Sequence, residues 1–295
     1  MKITLAKACS DLGVKVCGSE KGPIALSNFD NLVDNIITVE KDNVPKELEP
    51  GNKKRNIKYV NKFNTELYNK LVNDNNFVIT IGGDHAIAIG SDLASAKKHK
   101  NMGIFWIDAH TDYHNMDSTI TGNIHGMPLC SITGENGYDL NEFFDGEFIN
   151  PKRCVIIGAR DIDAPEYINL NKAGVTVFST EDIRNEGAAA VMQKAYDIVS
   201  DCDGLHISYD LDVIDPLVAP GVSVKAVDGI TEQESYEIMD EIIKRLDILK
   251  SFDLVEYNPD NDIEDKTKKI ANNLLEKLII NIKNKELWYN SFYFT

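Results

Sequence analysis

The sequence predicts an α/β fold, a parallel sheet with helices on both faces, and three observations carry that expectation. Short runs rich in Val, Ile and Phe recur along the chain. They are nearly continuous in hydrophobicity, as strands buried on both faces are. Segments of helical character separate them, and strand–helix alternation is the pattern of a parallel sheet. No Gly/Pro/Ser-rich linker, repeat or low-complexity stretch divides the 295 residues, so 1–295 reads as one domain with a sizeable core.

From the N-terminus, MKITLAKACSDLG has too short an apolar run and no small-residue cleavage site for a signal peptide. No stretch approaches the roughly 18 apolar residues of a membrane helix, and a cytoplasmic location is expected. The polar region 40–58 reads as a long surface loop. FVITI (77–81) is the first strand, and 86–99 is a helix ending in the basic cluster KKHK, which suits a helix C-terminus. GIFWI (103–107), CVIIGA (154–159), VTVF (175–178) and GLHISYDL (204–211) follow as strands. TEQE opens a helix over 231–250 with a capping box between Thr231 and Glu234, and Met239, Ile242, Ile243, Leu246 and Leu249 mark its apolar face. FDLVEY (252–257) is the last strand. A second amphipathic helix is read over 262–282, with Glu264/Lys268 and Asp265/Lys269 as supporting pairs. The aromatic tail 286–295 is expected to pack on its own domain or on a neighbouring subunit.

Apolar residues make up 43% and charged residues 26%, which is ordinary for a globular protein. The net charge of −16 argues against nucleic acid or an anionic membrane as partner and is compatible with a cationic small molecule. The five cysteines are odd in number and scattered, with no C-x-x-C pair, and read as reduced thiols.

Candidate ligands stand directly behind the apolar runs. VITIGGDH ends in Asp84 and His85, IFWIDAHTD in Asp108, His110 and Asp112, HISYDLD in Asp210 and Asp212, and DLVEYNP in Glu256. Sites in open parallel sheets form at the carboxyl ends of strands, so these four ends converge on one cleft. In extended chain, positions i, i+2 and i+4 point to one side, which would place Asp108, His110 and Asp112 on one face and pair Asp210 with Asp212. Two His and four Asp exceed what one ion with open positions takes and suit two divalent cations bridged by carboxylates. The alternative, ordinary Asp-rich turns, would leave carboxylates repelling one another in a low-dielectric cleft. An oxygen-rich set with imidazole and no thiolate points to two Mn²⁺ ahead of Zn²⁺, with Co²⁺ or Fe²⁺ able to substitute.

The segments GGDHAIAIGS (82–91), DAHTD (108–112), GNIHGMPL (122–129), GARDIDAPE (158–166), SYDLDVIDP (208–216) and EYNP (256–259) resemble the arginase/agmatinase (ureohydrolase) family in order and content. GVKVCGSEKGP near the N-terminus looks like a degraded form of that family's opening motif. The resemblance implies a three-layer α/β domain around an eight-stranded parallel sheet and a dimanganese centre. One ion would take His85, Asp108, Asp112 and Asp210, and the other His110, Asp108, Asp210 and Asp212. It implies that a metal-bridging hydroxide attacks a guanidinium carbon and releases urea. Asp112 would hold the hydroxide and pass on its proton, His125 would shuttle protons, and Glu256 would bind the guanidinium. Asp163, assisted by Glu166, would recognise a substrate α-amino group. Thr119 is retained, Thr121 stands where the family has serine, and His114 stands where the arginases have an asparagine that contacts the α-carboxylate. The stretch 219–229 replaces the family's Gly-Thr-Pro loop and is closer to formimidoylglutamate hydrolases. A homo-oligomer, trimer or hexamer, is implied as well.

Three competing readings remain at this point: a sibling hydrolase acting on agmatine, formimidoylglutamate or another guanidino compound; a two-metal phosphoesterase; and a catalytically dead binding protein. The phosphoesterase would need cations to clamp phosphate, and the motif segments offer few beyond Arg160. Asp84 reads as structural, His206 as a core histidine inside a strand, and His99 as a solvated residue.

Overall fold

The computed structural model describes residues 1–43, 56–136 and 139–292. Its centre is one eight-stranded sheet, all parallel, formed by β1 (Ile3–Cys9), β2 (Asn35–Glu40), β3 (Phe77–Gly82), β4 (Met102–Ile107), β5 (Cys154–Ala159), β6 (Thr176–Ser179), β7 (Gly204–Asp210) and β8 (Leu249–Val255). The strand order is β2-β1-β3-β8-β7-β4-β5-β6, which makes the fold the three-layer α/β arrangement the sequence predicts. The helices are α1 (Gly22–Ala25), α2 (Ile57–Leu71), α3 (Ala88–Lys98), α4 (Pro128–Ile132), α5 (Ala164–Ala173), α6 (Thr180–Glu186), α7 (Ala188–Ile198), α8 (Glu232–Lys244) and α9 (Lys266–Phe292).

Alternation along the strands builds a core on each face. Phe105 and Ile107 of β4, with Leu205, Ile207 and Tyr209 of β7, pack with residues of α6 to α9. Ile104 and Trp106 of β4, with Ile156 of β5, pack with α2, α3 and α4. Each fully buried Leu, Ile or Phe here stabilises the fold by about 1.5–3 kcal/mol relative to exposure. The face toward α3 is less apolar: Thr80, His206, Ser208, Ser251 and Asp253 are all buried there.

Two strands and several helices lie outside the sequence reading. β1, ITLAKAC, carries small and polar residues and lacks a strong apolar run, yet it is buried throughout because β2 and β3 flank it. β2 is an edge strand with mostly exposed side chains, so it shows little hydrophobic signal. Most of the expected 40–58 loop (44–55) lies outside the described residues, and its last two positions already open α2. The capping box of Thr231 and Glu234 begins α8 as read, but the helix stops at Lys244 and Leu249 starts β8. α9 begins at Lys266, later than expected, because Glu264 and Asp265 adopt left-handed backbone (φ 57° and 54°) and cannot form the expected helical pairs. Its backbone runs to Phe292; the expected side-chain packing of the 286–295 tail lies outside the described residues.

Candidate metal centre

β3, β8, β7 and β4 are consecutive in the sheet, and all the predicted ligands stand at or just after their carboxyl ends. After β3 the chain turns through Gly83, where a Cβ would lie 1.7 Å from the Ser10 carbonyl; only glycine lets the end of β1 pass this closely. Asp84 then caps the turn at His85–Ile87, accepting from Ala86 N (2.9 Å) and Gly13 N (2.9 Å). It is fully buried and tied to backbone, so its place is structural, and burial together with the neighbouring Glu256 pushes its carboxyl up to about 7.

Convergence of the ligands does not come from extended chain as the two-residue spacing predicted. β4 ends at Ile107 and β7 at Asp210, so most of the ligands lie in turns. Asp108 Oδ1 accepts His110 N (2.6 Å) and Asp210 Oδ1 accepts Asp212 N (2.7 Å), two Asx turns that curl each segment back on itself. Asp112 and Glu256 have left-handed backbone (φ 49° and 65°), a conformation that costs a non-glycine residue free energy and gathers at functional sites.

The turns bring the two histidines and four aspartates together. His85 Nδ1 lies 3.1 Å from Asp108 Oδ2, 3.2 Å from Asp112 Oδ2 and 3.1 Å from Asp210 Oδ2. None of the three contacts is aligned as a hydrogen bond, and the nitrogen has no partner although fully buried. The other ring nitrogen, Nε2, is 2.8 Å from Ser208 Oγ. His110 Nδ1 lies 3.0 Å from Asp212 Oδ2 and 3.5 Å from Asp108 Oδ1. An imidazole held by a hydroxyl on one side, as His85 is, with its other nitrogen facing several carboxylate oxygens, could hold a metal ion among them. The nitrogen and oxygen donors present thus fit divalent cations.

Electrostatics support that fit. Burial and the neighbouring Asp108 push Asp112 up to about 7, and burial with Asp212 and Asp108 raises Asp210 well above the carboxylate range. Asp212 is also raised, by burial first. Asp108 moves the other way: burial opposes its ionisation, but His110 and His85 outweigh it and hold it low. Without cations this set would retain protons near neutral pH; with cations the carboxylates ionise.

Around the centre, a cleft of about 200 Å³ is lined by His110, Asp112, His114, Thr121, His125, Asp163 and Glu166, among others. His125 sits on a short turn with its backbone N–H on the Gly13 carbonyl (3.1 Å) and its Nδ1 3.0 Å from Glu256 Oε1. That oxygen also accepts His85 N (2.9 Å), while Glu256 Oε2 is buried and unpartnered. Glu256 raises the His125 pKa against the lowering effect of burial. At the rim, His114 Nε2 is 3.1 Å from Asp163 Oδ2 and its Nδ1 3.1 Å from Ser118 Oγ. Glu166 Oε1 accepts Thr111 Oγ1 (2.7 Å) and Tyr113 N (3.1 Å), and its Oε2 accepts Asp163 N (3.3 Å). Thr119 is buried and its hydroxyl accepts Gly122 N (3.0 Å), so it shapes the loop behind the cleft and does not face it.

Sequence reasoning missed three supports. Trp106 stacks on His85 (ring centroids 4.0 Å, planes 5° apart) and donates from Nε1 to Asp108 Oδ2 at 2.9 Å. Ser208 holds the His85 ring. Both precede a ligand by two positions on a strand, which is the signal that could have found them. The third is Arg160. Its guanidinium donates to the carbonyls of Gly158, Asp212, Val213, Ala226 and Val227, binding the 219–229 segment to the Asp212 turn. It is therefore not available as a phosphate clamp.

A family model described as Arginase family matches residues 11–280 of this chain. The chain belongs to the arginase family. It is 36% identical over 281 residues to an arginase of Bacillus subtilis (strain 168), covering 91% of this chain and 94% of that protein. In structure it is similar to the Entamoeba histolytica arginase solved in complex with L-ornithine, with a TM-score of 0.88 and 30% identity over 94% of this chain and 98% of that one. A crystal structure of Bacillus subtilis arginase has a TM-score of 0.82 and 33% identity, over 95% and 98% of the two chains. Membership in the arginase family makes the chain a hydrolase of guanidino or amidino compounds. Among the described residues, no helix is long and apolar enough to cross a membrane.

Proposed function

We propose that this chain, as one catalytic domain, hydrolyses L-arginine to L-ornithine and urea with two Mn²⁺ ions, the first held by His85, Asp108, Asp112 and Asp210 and the second by His110, Asp108, Asp210 and Asp212. The observation that carries the reading is His85 Nδ1, buried among three carboxylate oxygens at nearly equal distances with no hydrogen bond to any of them. When bound, paired cations would lower the pKa of a shared water and make it a nucleophile near neutral pH.

The chain's own residues do the remaining work. Glu256 keeps one oxygen unpartnered, and a carboxylate in that state accepts a guanidinium N–H and orients the carbon for attack. Asp112 takes the proton of the attacking water and delivers it to the leaving amine. His125 lies on the cleft wall and exchanges protons between the site and solvent, with Glu256 fixing its ring through Nδ1. At the rim, Asp163, placed by Glu166 through its backbone N–H, receives the substrate α-amino group, while His114 and Thr121 face the other end of the amino acid and Thr119 holds their loop. The protein works in the cytoplasm as a homo-oligomer, trimer or hexamer.

The test is a panel of L-arginine, agmatine, formimidoylglutamate and guanidinobutyrate with added Mn²⁺, read as urea or amide release. Urea from L-arginine is expected. Turnover on another amidine alone would move the specificity and leave the class. A second reading, a sibling hydrolase, has one observation in its favour: His114 already occupies an oxygen of Asp163. Asp163→Ala separates the two, since agmatine has no α-amino group to lose.

A further inference from the structure

A second imidazole–carboxylate cluster lies on the α3 face of the sheet, apart from the cleft. Asp92 of α3, His206 of β7 and Asp253 of β8 are each buried, at 0%, 0% and 1% exposure. His206 Nε2 is 2.9 Å from Asp92 Oδ1 and 3.7 Å from Asp253 Oδ2. Neither contact is aligned as a hydrogen bond: Nε2 is unpartnered, and so are Asp92 Oδ2 and Asp253 Oδ1. The other ring nitrogen, Nδ1, is 2.7 Å from Ser251 Oγ.

This arrangement repeats that of His85. Each ring is anchored through one nitrogen to a serine hydroxyl. Each presents the other nitrogen, buried and unsatisfied, to carboxylate oxygens about one coordination edge away. The spacings of 2.9 and 3.7 Å bracket the 3.0–3.5 Å found around His85 and His110. A pair of buried carboxylates also needs positive charge. The charged groups that face Asp253 are His206 and Asp92, and burial pushes the Asp253 carboxyl up to about 6. Ser91 Oγ donates to Asp253 Oδ2 and faces Asp92 Oδ1 at 3.4 Å, so a hydroxyl already orients both acids.

We propose that Asp92, His206 and Asp253 form a structural site for one divalent transition-metal ion, separate from the cleft centre. Two carboxylates and a neutral imidazole balance a dication, and the buried, unpartnered Asp92 Oδ2 and Asp253 Oδ1 supply further donors. An ion there fastens α3 to β7 and β8. It thereby steadies the two segments that carry His85 and Ser208.

The experiment counts metal and does not use activity. The full chain is incubated with excess Mn²⁺ or Zn²⁺, desalted, and assayed by elemental mass spectrometry for wild type, Asp92→Asn and His110→Asn. Asp92→Asn is expected to hold about one ion fewer per chain than wild type, additive with the loss in His110→Asn. An unchanged count in a folded Asp92→Asn would overturn the site. If that variant does not fold, an anomalous difference map of metal-soaked wild-type crystals decides: a peak between His206 Nε2 and the two carboxylates supports the site, and continuous absence there means that a proton on His206 bridges the acids instead. Additive losses in Asp92→Asn and His110→Asn separate this site from the cleft centre, whereas a loss at Asp92 that vanishes in the His110→Asn background would overturn it.

Discussion

Asp108 and Asp163 are both aspartates of the same cleft, yet the protein treats them differently. Asp108 is fully buried, receives Trp106 Nε1 and the backbone of His110, and is held low by two imidazoles. The Asp163 side chain is 52% exposed, and its carboxylate is met by the His114 imidazole. The floor of the cleft is buried and held by several partners at once, and the rim is exposed. A burial difference of this kind separates the chemistry an enzyme performs from the substrate it chooses. A buried ligand set fixes the positions of its donor atoms, whereas a rim contact, screened by water, contributes little energy and is changed by one substitution.

If that contrast is right, floor variants should abolish reaction and rim variants should redirect it. The largest effect is expected for His110→Asn, which should lose metal from one position and lower kcat by roughly 10³-fold, several kcal/mol of lost Lewis-acid assistance. Unchanged metal stoichiometry by elemental analysis would contradict the ligand assignment. His125→Asn should lower kcat by about 10²-fold with metal content retained, the scale of a lost proton-transfer group; a metal-free variant would place His125 on the floor instead. Asp163→Ala should lower kcat/KM for L-arginine by about tenfold, or 1.4 kcal/mol, and leave agmatine turnover nearly unchanged. Equal losses on both substrates would erase the distinction between floor and rim.

The smallest effect concerns pH. In the metal-free chain Asp112 and Asp84 are raised from 3.8 to about 7. A folded pKa above the unfolded one means stability present at low pH and lost as pH rises from about 4 through 7. His85 and His110, also raised, act in the same direction above pH 6.5. Chelator-treated protein should therefore melt at lower temperature at pH 8 than at pH 5.5, and Mn²⁺ should reduce the difference. A flat or reversed profile would show that the floor carboxylates do not repel as described.

The same contrast explains what the sequence disclosed. Strand ends such as VITIGGDH and HISYDLD announce themselves because a buried apolar run followed by acids has few physical readings. The sheet's core strands were legible for the same reason, whereas β2, exposed at the edge, and β1, with its small residues, were not. The way the ligands meet was hidden, because Asx turns and the left-handed backbone of Asp112 depend on tertiary contacts that no residue spacing encodes. Supports that reach across strands, such as Ser208 on His85 and Arg160 on the Asp212 carbonyl, were hidden too. At the rim, the sequence showed that His114 was unusual but not that it would lean on Asp163.

The most direct test of the central claim is to strip the full chain with a chelator and titrate Mn²⁺ back while following urea release from L-arginine and bound metal together. Activity that is absent at first and rises in step with occupancy of the His85 and His110 positions is the predicted result. Urea release that is undiminished in the stripped protein, or absent at full occupancy, would contradict the account.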